Sequence, residues 1–203
     1  MPSTITRLLP FRHYAEENVV NMFSLDTVTG EAGSLVKISS ANLDLDPVNL
    51  VTRGDSLGFQ NYLGNASSLY PEVPYKVTKV INTGERPLGI LLRDVRSTDE
   101  NGENLQYYPQ KKEELQCVIS GEAVPILTRG IVTLNARALA GGVAPAINSY
   151  AIPSANGTLT GIASPNATQK EFAVGKFIAT GSRESQQDTD EYAGVYAVLK
   201  LEL

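Results

Sequence analysis

The last nine residues, Val195-Tyr196-Ala197-Val198-Leu199-Lys200-Leu201-Glu202-Leu203, alternate between two kinds of position. Every odd-numbered residue of this stretch is apolar, whereas the even-numbered residues become charged toward the end. Successive side chains of a β-strand point to opposite faces, so a period of two predicts a strand with one buried face. A chain end with this pattern is expected to be tied into a sheet.

Further short apolar stretches precede this strand, and Gly, Pro and Asn-rich turns separate them. They cover residues 35–38, 75–79, 87–92, 115–119, 123–127, 131–135 and 172–180. The three stretches between 115 and 135 are too close together for crossover helices, which predicts antiparallel neighbours. We therefore expect an all-β fold, a compact barrel or sandwich of short antiparallel strands with long decorated loops.

The N-terminal segment has a different period. Apolar residues recur there at a spacing near 3.6, which predicts a short helix over Phe11 to Leu25, and an extended arm is the alternative. We predict an N-terminal arm over residues 1–30 and a β-rich domain over 31–203. The irregular, small-residue stretches 52–74 and 136–168 are candidates for loop-built lobes on that domain.

The composition argues against catalysis. The 203 residues include one histidine (His13), one cysteine (Cys117) and no tryptophan. Nucleophilic catalysis and zinc sites draw on His and Cys, so we predict no enzymatic activity, no cofactor and no metal site. Solvated loops are the preferred interpretation of the acidic clusters, among them residues 188–191, over a calcium site or a paired-carboxylate hydrolase.

The net charge limits the kinds of partner that we expect, and the N-terminal residues bear on where the chain is made. A formal net charge of −5 lacks the cationic surplus that nucleic-acid binding needs, and it disfavours adhesion to an anionic membrane. The first ten residues contain no apolar signal segment, so we expect the chain to be made in a reducing cytoplasm and to be soluble there. Cys117 lies in an apolar stretch and is expected to be a small buried hydrophobe. His13 is expected to be exposed or at an interface.

Tyrosine is the main aromatic residue, with nine copies. Tyr62 and Tyr70 lie in a glycine-rich stretch, and Tyr107 and Tyr108 precede a proline. Tyrosine is common at protein interfaces because it joins apolar area to a polar tip, and it also stacks on sugar rings. We interpret these four as surface aromatic contacts, either with a protein or with a carbohydrate.

Three sequence features together resemble the capsid decoration, or cement, proteins of tailed bacteriophages. They are residues 87–91 (PLGIL), residues 120–132 (SGEAVPILTRGIV), and residues 174–177 (VGKF) leading into the C-terminal strand. The resemblance implies a compact β domain bound to the outside of an icosahedral shell. It also implies a symmetric oligomer, often a homotrimer, with the major capsid protein as partner. The implied location is the capsid exterior of the virion, after assembly in the host cytoplasm.

The apolar residues of the N-terminal segment are candidate anchors for such a partner. These candidate capsid-binding residues are Phe11, Tyr14, Val19, Met22 and Phe23. Packing of the same residues on the protein's own core is the competing interpretation. A carbohydrate- or receptor-binding module of a phage head or tail fibre is the alternative function.

Overall fold

The computed structural model describes residues 7–27, 29–40, 75–184 and 193–203. Within these ranges the chain is mostly strands, with two short α-helices, α1 (Pro109–Glu114) and α2 (Ala167–Glu171). The strands are β1 (Leu8–His13), β2 (Val19–Val20), β3 (Ser24–Leu25), β4 (Leu35–Ser40), β5 (Lys76–Lys79), β6 (Gly89–Leu91), β7 (Asp94–Val95), β8 (Cys117–Val118), β9 (Ile126–Leu127), β10 (Arg129–Asn135), β11 (Tyr150–Pro153), β12 (Leu159–Ile162), β13 (Gly175–Arg183) and β14 (Gly194–Glu202). The predicted all-β fold is confirmed, and the sheets are packed as a sandwich.

Three sheets hold these strands. Sheet A has six antiparallel strands in the order β1-β10-β14-β13-β11-β12. Sheet B has six strands in the order β2-β9-β6-β4-β5-β3 and is antiparallel except for the β3–β5 pair. Sheet C consists of β7 and β8, which are parallel. The prediction of antiparallel strands therefore holds for most pairs and is wrong for these two.

Sheet B is buried on both faces. Leu35 and Leu127 belong to a core that also contains Phe177 and Leu199 of sheet A. Their chain neighbours on β4 and β9 belong to a second core, shared with Val95 and Val118 of sheet C. Because alternate residues of a strand point to opposite faces, the cores lie on the two sides of sheet B. The layers follow the order sheet A, sheet B, sheet C.

The C-terminal strand lies at the centre of sheet A, between β10 and β13. Its residues Ala197, Leu199 and Leu201 are fully buried in the first core. Lys200 and Glu202 are exposed on the opposite face. The predicted strand and its buried face are confirmed.

The predicted N-terminal helix is wrong. The segment forms β1, β2 and β3, with a single 3₁₀ turn at Glu16–Asn18. β1 pairs with β10, and β2 pairs with β9. Leu8 and Leu25 enter different cores. One helical face would have reached only one of these cores, so sheet pairing and burial override the helical period. The extended alternative is the one observed, and the division at residue 30 stays a prediction.

The three strands between 115 and 135 do not pair with one another. β8 belongs to sheet C, β9 to sheet B and β10 to sheet A. A tight turn in which the Glu122 amide donates to the Ile119 carbonyl separates the first two. Gly130, with φ at +151°, follows the last turn and leaves no room for a side chain beside Tyr14. Each turn thus carries the chain to the next layer, which spacing alone does not reveal.

The stretch 136–168 is not irregular throughout. It contains β11 and β12, which form one end of sheet A. The candidate lobe at 52–74 lies outside the described residues. No helix in the described part of the chain has the length and apolar content of a membrane span.

Candidate functional site

The face of sheet A that points away from sheet B is called the outer face here. One row of paired residues crosses it from β1 to β12. In order, the row is His13, Ile131, Lys200, Lys176, Tyr150 and Ile162. Buried core residues lie next to the four central positions of the row along their strands, which places the row on the outer face. The row is a continuous band of side chains across all six strands.

Two lysines face each other at the centre of this row. Lys176 pairs with Lys200 across β13 and β14, and both are exposed. Like charges directly opposite each other destabilise a sheet. Each lysine has a partner on its far side. The Lys176 ammonium lies 4.7 Å from the ring centroid of Tyr150. Lys200 forms an ion pair with Glu202 on its own strand. These partners fix where the two positive charges stand.

A second cation lies over an aromatic ring on the same face. The Arg183 guanidinium is 5.6 Å from the ring centroid of Tyr196. The ring lies across Gly181, its partner on β13, where a Cβ atom would be 2.5 Å from the tyrosine hydroxyl oxygen. Glycine at this position lets the ring lie flat on the sheet. The arrangement presents a flat aromatic surface with a cation above it.

Glu202 is the one carboxylate on the outer face among the described strands of sheet A. The hydrogen bond from Lys200, followed by the charge of the same lysine, lowers the pKa of this carboxyl. Arg129 and Lys176 lower the pKa further. Arg129 is also the cross-strand partner of Glu202. On the strands that the structure describes, four cations and one carboxylate therefore share the face, in a chain whose formal net charge is −5.

A groove of about 830 Å³ runs beside the edge strand β1. Its lining residues are Leu8, Pro10, Arg12, His13, Tyr14, Ala32, Leu92, Asp94, Arg96, Glu100, Glu114, Leu115 and Gln116. Asp94 accepts a hydrogen bond from the Ala32 amide at 2.6 Å and pairs with Arg96 at 3.1 Å. Arg12 donates to the Leu9 carbonyl at 3.2 Å. The Asp94–Ala32 hydrogen bond thus connects β7 to the segment before β4, whereas the contacts of Arg12 and Arg96 are local in sequence.

The predicted capsid-binding residues divide into two groups. Phe11, at the β1 edge of the outer face, is 66 % exposed, and Met22 is 49 % exposed. Tyr14 is partly exposed and lies against Gly130. By contrast, Val19 packs against the first core. Phe23 is buried in the second core, where its ring meets Tyr75 edge-on at 6.2 Å. Val19 and Phe23 therefore pack on the protein's own cores, as the competing interpretation describes, and the capsid-binding role of the five residues stays a prediction.

The predicted tyrosine contacts are only partly visible. Tyr107 and Tyr108 are exposed just before α1, on the sheet C side of the fold. Tyr62 and Tyr70 lie outside the described residues. The structure therefore places two of the four tyrosines on the surface, next to each other in sequence.

The lone histidine and the lone cysteine occupy the expected environments. His13 is exposed. Cys117 is fully buried with Leu105 and Ile119, and its thiol donates to the Lys112 carbonyl at 3.5 Å. Burial raises the pKa of this thiol. Among the described residues, no group of three or more His, Cys, Asp or Glu side chains is placed to hold a metal ion.

The sequence did not predict the row of outer-face residues that contains Lys176 and Lys200, which we call the cationic row. Lys176 and Lys200 are 24 positions apart, and nothing in their local sequence marks them as neighbours. The charged alternate positions of β14 were the available signal, although they do not identify the partner strand. Comparison with protein-family models, with curated proteins and with solved structures finds no match to this chain.

Proposed function

We propose that the chain is a non-enzymatic structural protein of a bacteriophage virion, which binds the outer surface of the capsid and stabilises it. Its partners are the major capsid protein and further copies of itself, most simply in a homotrimer. The observation that carries this proposal is the exposure of large apolar side chains on the N-terminal segment, most of all Phe11 at 66 %. Phe11 stands on the paired strand β1, whereas Tyr14 and Met22 lie in the connections before and after β2.

Order in the anchoring segment favours tight binding. Phe11 lies on β1, which is paired with β10, so its backbone is held before any partner arrives. A side chain on an ordered strand loses less conformational freedom on binding than one on a loose arm. Aromatic residues in this situation often contribute most of the affinity of an interface.

Many copies on one lattice would reinforce each contact. A typical specific interface buries about 1,600 Å² in total, shared between the partners. When several copies are joined in an oligomer, the second contact forms at a high effective concentration. Modest affinity per copy then suffices to tie neighbouring capsomers together.

Substitution of the exposed anchor tests the proposal. We expect Phe11→Ser to reduce occupancy on empty heads of the encoding phage about tenfold, because a central aromatic contact contributes about 1–2 kcal/mol or more. Ile147→Ser is the matched control, because Ile147 is 58 % exposed and lies outside the N-terminal segment. Equal occupancy of the two variants would remove Phe11 from the contact, and absence of binding by the unmodified chain would refute the function.

Deletion of residues 1–25 is a poor test of the same idea. It removes Leu8 from the first core and Leu25 from the second. Loss of binding by such a truncated chain would follow from unfolding alone. Point substitutions at exposed positions avoid this ambiguity.

A carbohydrate- or receptor-binding module is the second candidate. The exposure of Tyr107 and Tyr108, at 69 % and 49 %, favours it, because adjacent exposed tyrosines can stack on a sugar. A glycan array measures this directly. Glycan binding that Tyr107→Ala removes, together with an absence of head binding, would establish this second function in place of the first.

A further inference from the structure

We propose that the outer face of sheet A is a docking surface for an acidic patch on the shell protein. This inference rests on the proposed function and names the surface through which it acts. The surface consists of the two central lysines, Arg129 and Arg183, with Tyr150, Tyr196 and the apolar residues between them. The observation behind it is the juxtaposition of Lys176 and Lys200 across β13 and β14.

The charges on this face are opposite in sign to those of the chain as a whole. The chain carries 22 acidic and 17 basic residues, yet the described strands of sheet A present four cations and one carboxylate on the outer face. Directly opposed lysines are destabilising in a sheet, so each ammonium here depends on a neighbour, Tyr150 or Glu202, to offset the repulsion. Fold stability therefore gives no reason to place them together. A carboxylate-bearing partner gives such a reason, because its negative charges offset the repulsion between the lysines when it binds.

The cationic groups are held in position. Tyr150 lies under the Lys176 ammonium, and Glu202 pairs with Lys200. Tyr196 lies under Arg183 in the same way. A partner that binds such groups restricts fewer free rotamers than it would on a surface of loose lysines. Tyrosine and arginine are also residues that interfaces favour over the rest of a protein surface.

Apolar side chains lie among the charges. Ile131 precedes Lys200 in the row, and Val198 is half-buried beside it on β14. Ile178, at the bulge of β13, is 40 % exposed. Phe11 extends the apolar area at the β1 edge. A protein surface can cover such a mixture, with carboxylates against the lysines and apolar groups against the isoleucines.

A nucleic acid fits this face less well. Its phosphates would meet Glu202, which lies among the cations, and the isoleucines would gain nothing from a phosphate backbone. The negative net charge of the whole chain would add long-range repulsion. An acidic protein surface is repelled by the same net charge, but it offers apolar contact in return.

The test compares two double variants with the same net charge. Lys176→Gln with Lys200→Gln removes the central cations, and Arg86→Gln with Lys170→Gln removes two exposed cations outside sheet A. Binding of each full-length variant to empty heads is measured by co-sedimentation at about 50 and 300 mM salt. Circular dichroism verifies that each variant is folded.

We expect the sheet A variant to bind heads about five- to tenfold more weakly at the lower salt and to show a flatter salt dependence. The control is expected to match the unmodified chain. Equal binding by both variants would overturn the docking surface and leave the proposed function intact. Failure of the unmodified chain to bind heads would overturn both.

Two further measurements identify other occupants. A fluorescent single-stranded DNA 20-mer serves as a nucleic-acid probe, and sedimentation velocity reports self-association. DNA binding that the sheet A variant loses would overturn the assignment in favour of a nucleic acid. If the unmodified chain self-associates in a salt-sensitive way and the sheet A variant does not, the docking surface would be assigned to a second copy of this chain instead. Neither property is expected to depend on the two lysines.

Discussion

Gly89 occupies a position in β6 where a side chain would collide with the neighbouring strand. A Cβ atom there would lie 2.6 Å from Cγ2 of Ile126 and closer still to the Leu127 carbonyl oxygen. Because the nearest atom is backbone, the strands would have to separate. We expect Gly89→Ala to lower the free energy of unfolding by about 2 kcal/mol, measured by urea denaturation. Gly84→Ala is the control, because no atom lies within 4 Å of the new methyl group.

In the sequence, Gly89 is only one residue of the predicted strand 87–92. The sequence does not show that another strand approaches so closely, because that contact joins residues far apart in the chain. A change in stability no larger than that of the control would show that β6 and β9 are farther apart than described.

Asp99 ties together the loop that precedes α1. Its Oδ1 atom accepts hydrogen bonds from the amides of Asn101, at 2.9 Å, and Glu103, at 2.7 Å. Lys111 forms an ion pair with its other oxygen. The hydrogen bond from Lys111 is the main cause that lowers the pKa of Asp99, and burial opposes it.

Because this pKa is lower in the folded state, the stabilisation is present above the ordinary aspartate pKa of about 3.9 and is lost as the pH falls through the folded value. Asp99→Asn should therefore be less stable than the unmodified chain at pH 7, and the difference should shrink below about pH 3. Urea midpoints measured across this range test it. Glu103→Gln, at the more exposed partner of Lys111, should show a smaller difference, and a pH-independent effect of Asp99→Asn would contradict the account.

At the scale of elements, β14 and β1 show what a sequence pattern can predict. In β14 the period of two is uninterrupted, and one face lies entirely in a core, so both the strand and its buried side were predictable. In β1 to β3 the segment contributes to two sheets and two cores within 18 residues, from Leu8 to Leu25. Its apolar residues then follow no single strand period and imitate a helical one. A hydrophobic period predicts burial more reliably in a segment that packs against one core than in a segment that packs against two.

The two faces of β14 differ in what they contribute to stability. Leu199 is fully buried in the first core, whereas Val198 is half-buried on the outer face. We expect Leu199→Ala to cost about 3 kcal/mol of unfolding free energy, because it leaves a cavity. Val198→Ala should cost less than about 1 kcal/mol. Thermal or urea unfolding measures both, and equal costs would mean that a partner or another part of the chain buries the outer face.

At the scale of the whole molecule, the layer order separates the sheet that stabilises the fold from the sheet face that we propose contacts a partner. The two large cores lie on either side of sheet B, so sheet B contributes chiefly to stability. Sheet A has one face in the first core and presents the other, with its cationic row, to the outside. The all-β class followed from the short apolar stretches, yet the three-layer order did not. Residues 115–135 enter all three sheets in turn, and only long-range pairing determines which.

The dependence on long-range strand pairing also limits what the sequence can predict about the candidate site. The local pattern selected Phe11, Tyr14 and Met22 together with Val19 and Phe23. It did not show that the last two pack in the protein's own cores. The opposition of Lys176 and Lys200 could not be predicted, because it depends on the register between β13 and β14. Cross-strand neighbours become visible only once that register is known.

Zero-length cross-linking on intact particles tests the central claim most directly. Carbodiimide joins a lysine amine to a carboxylate only when the two are in contact, and mass spectrometry then identifies both residues. We predict links from Lys176 and Lys200 to aspartates or glutamates of the major capsid protein in virions of the encoding phage. Two results would contradict the account. One is virions that do not contain this chain, and the other is links to the capsid from Lys79 and Lys170 but none from Lys176 or Lys200.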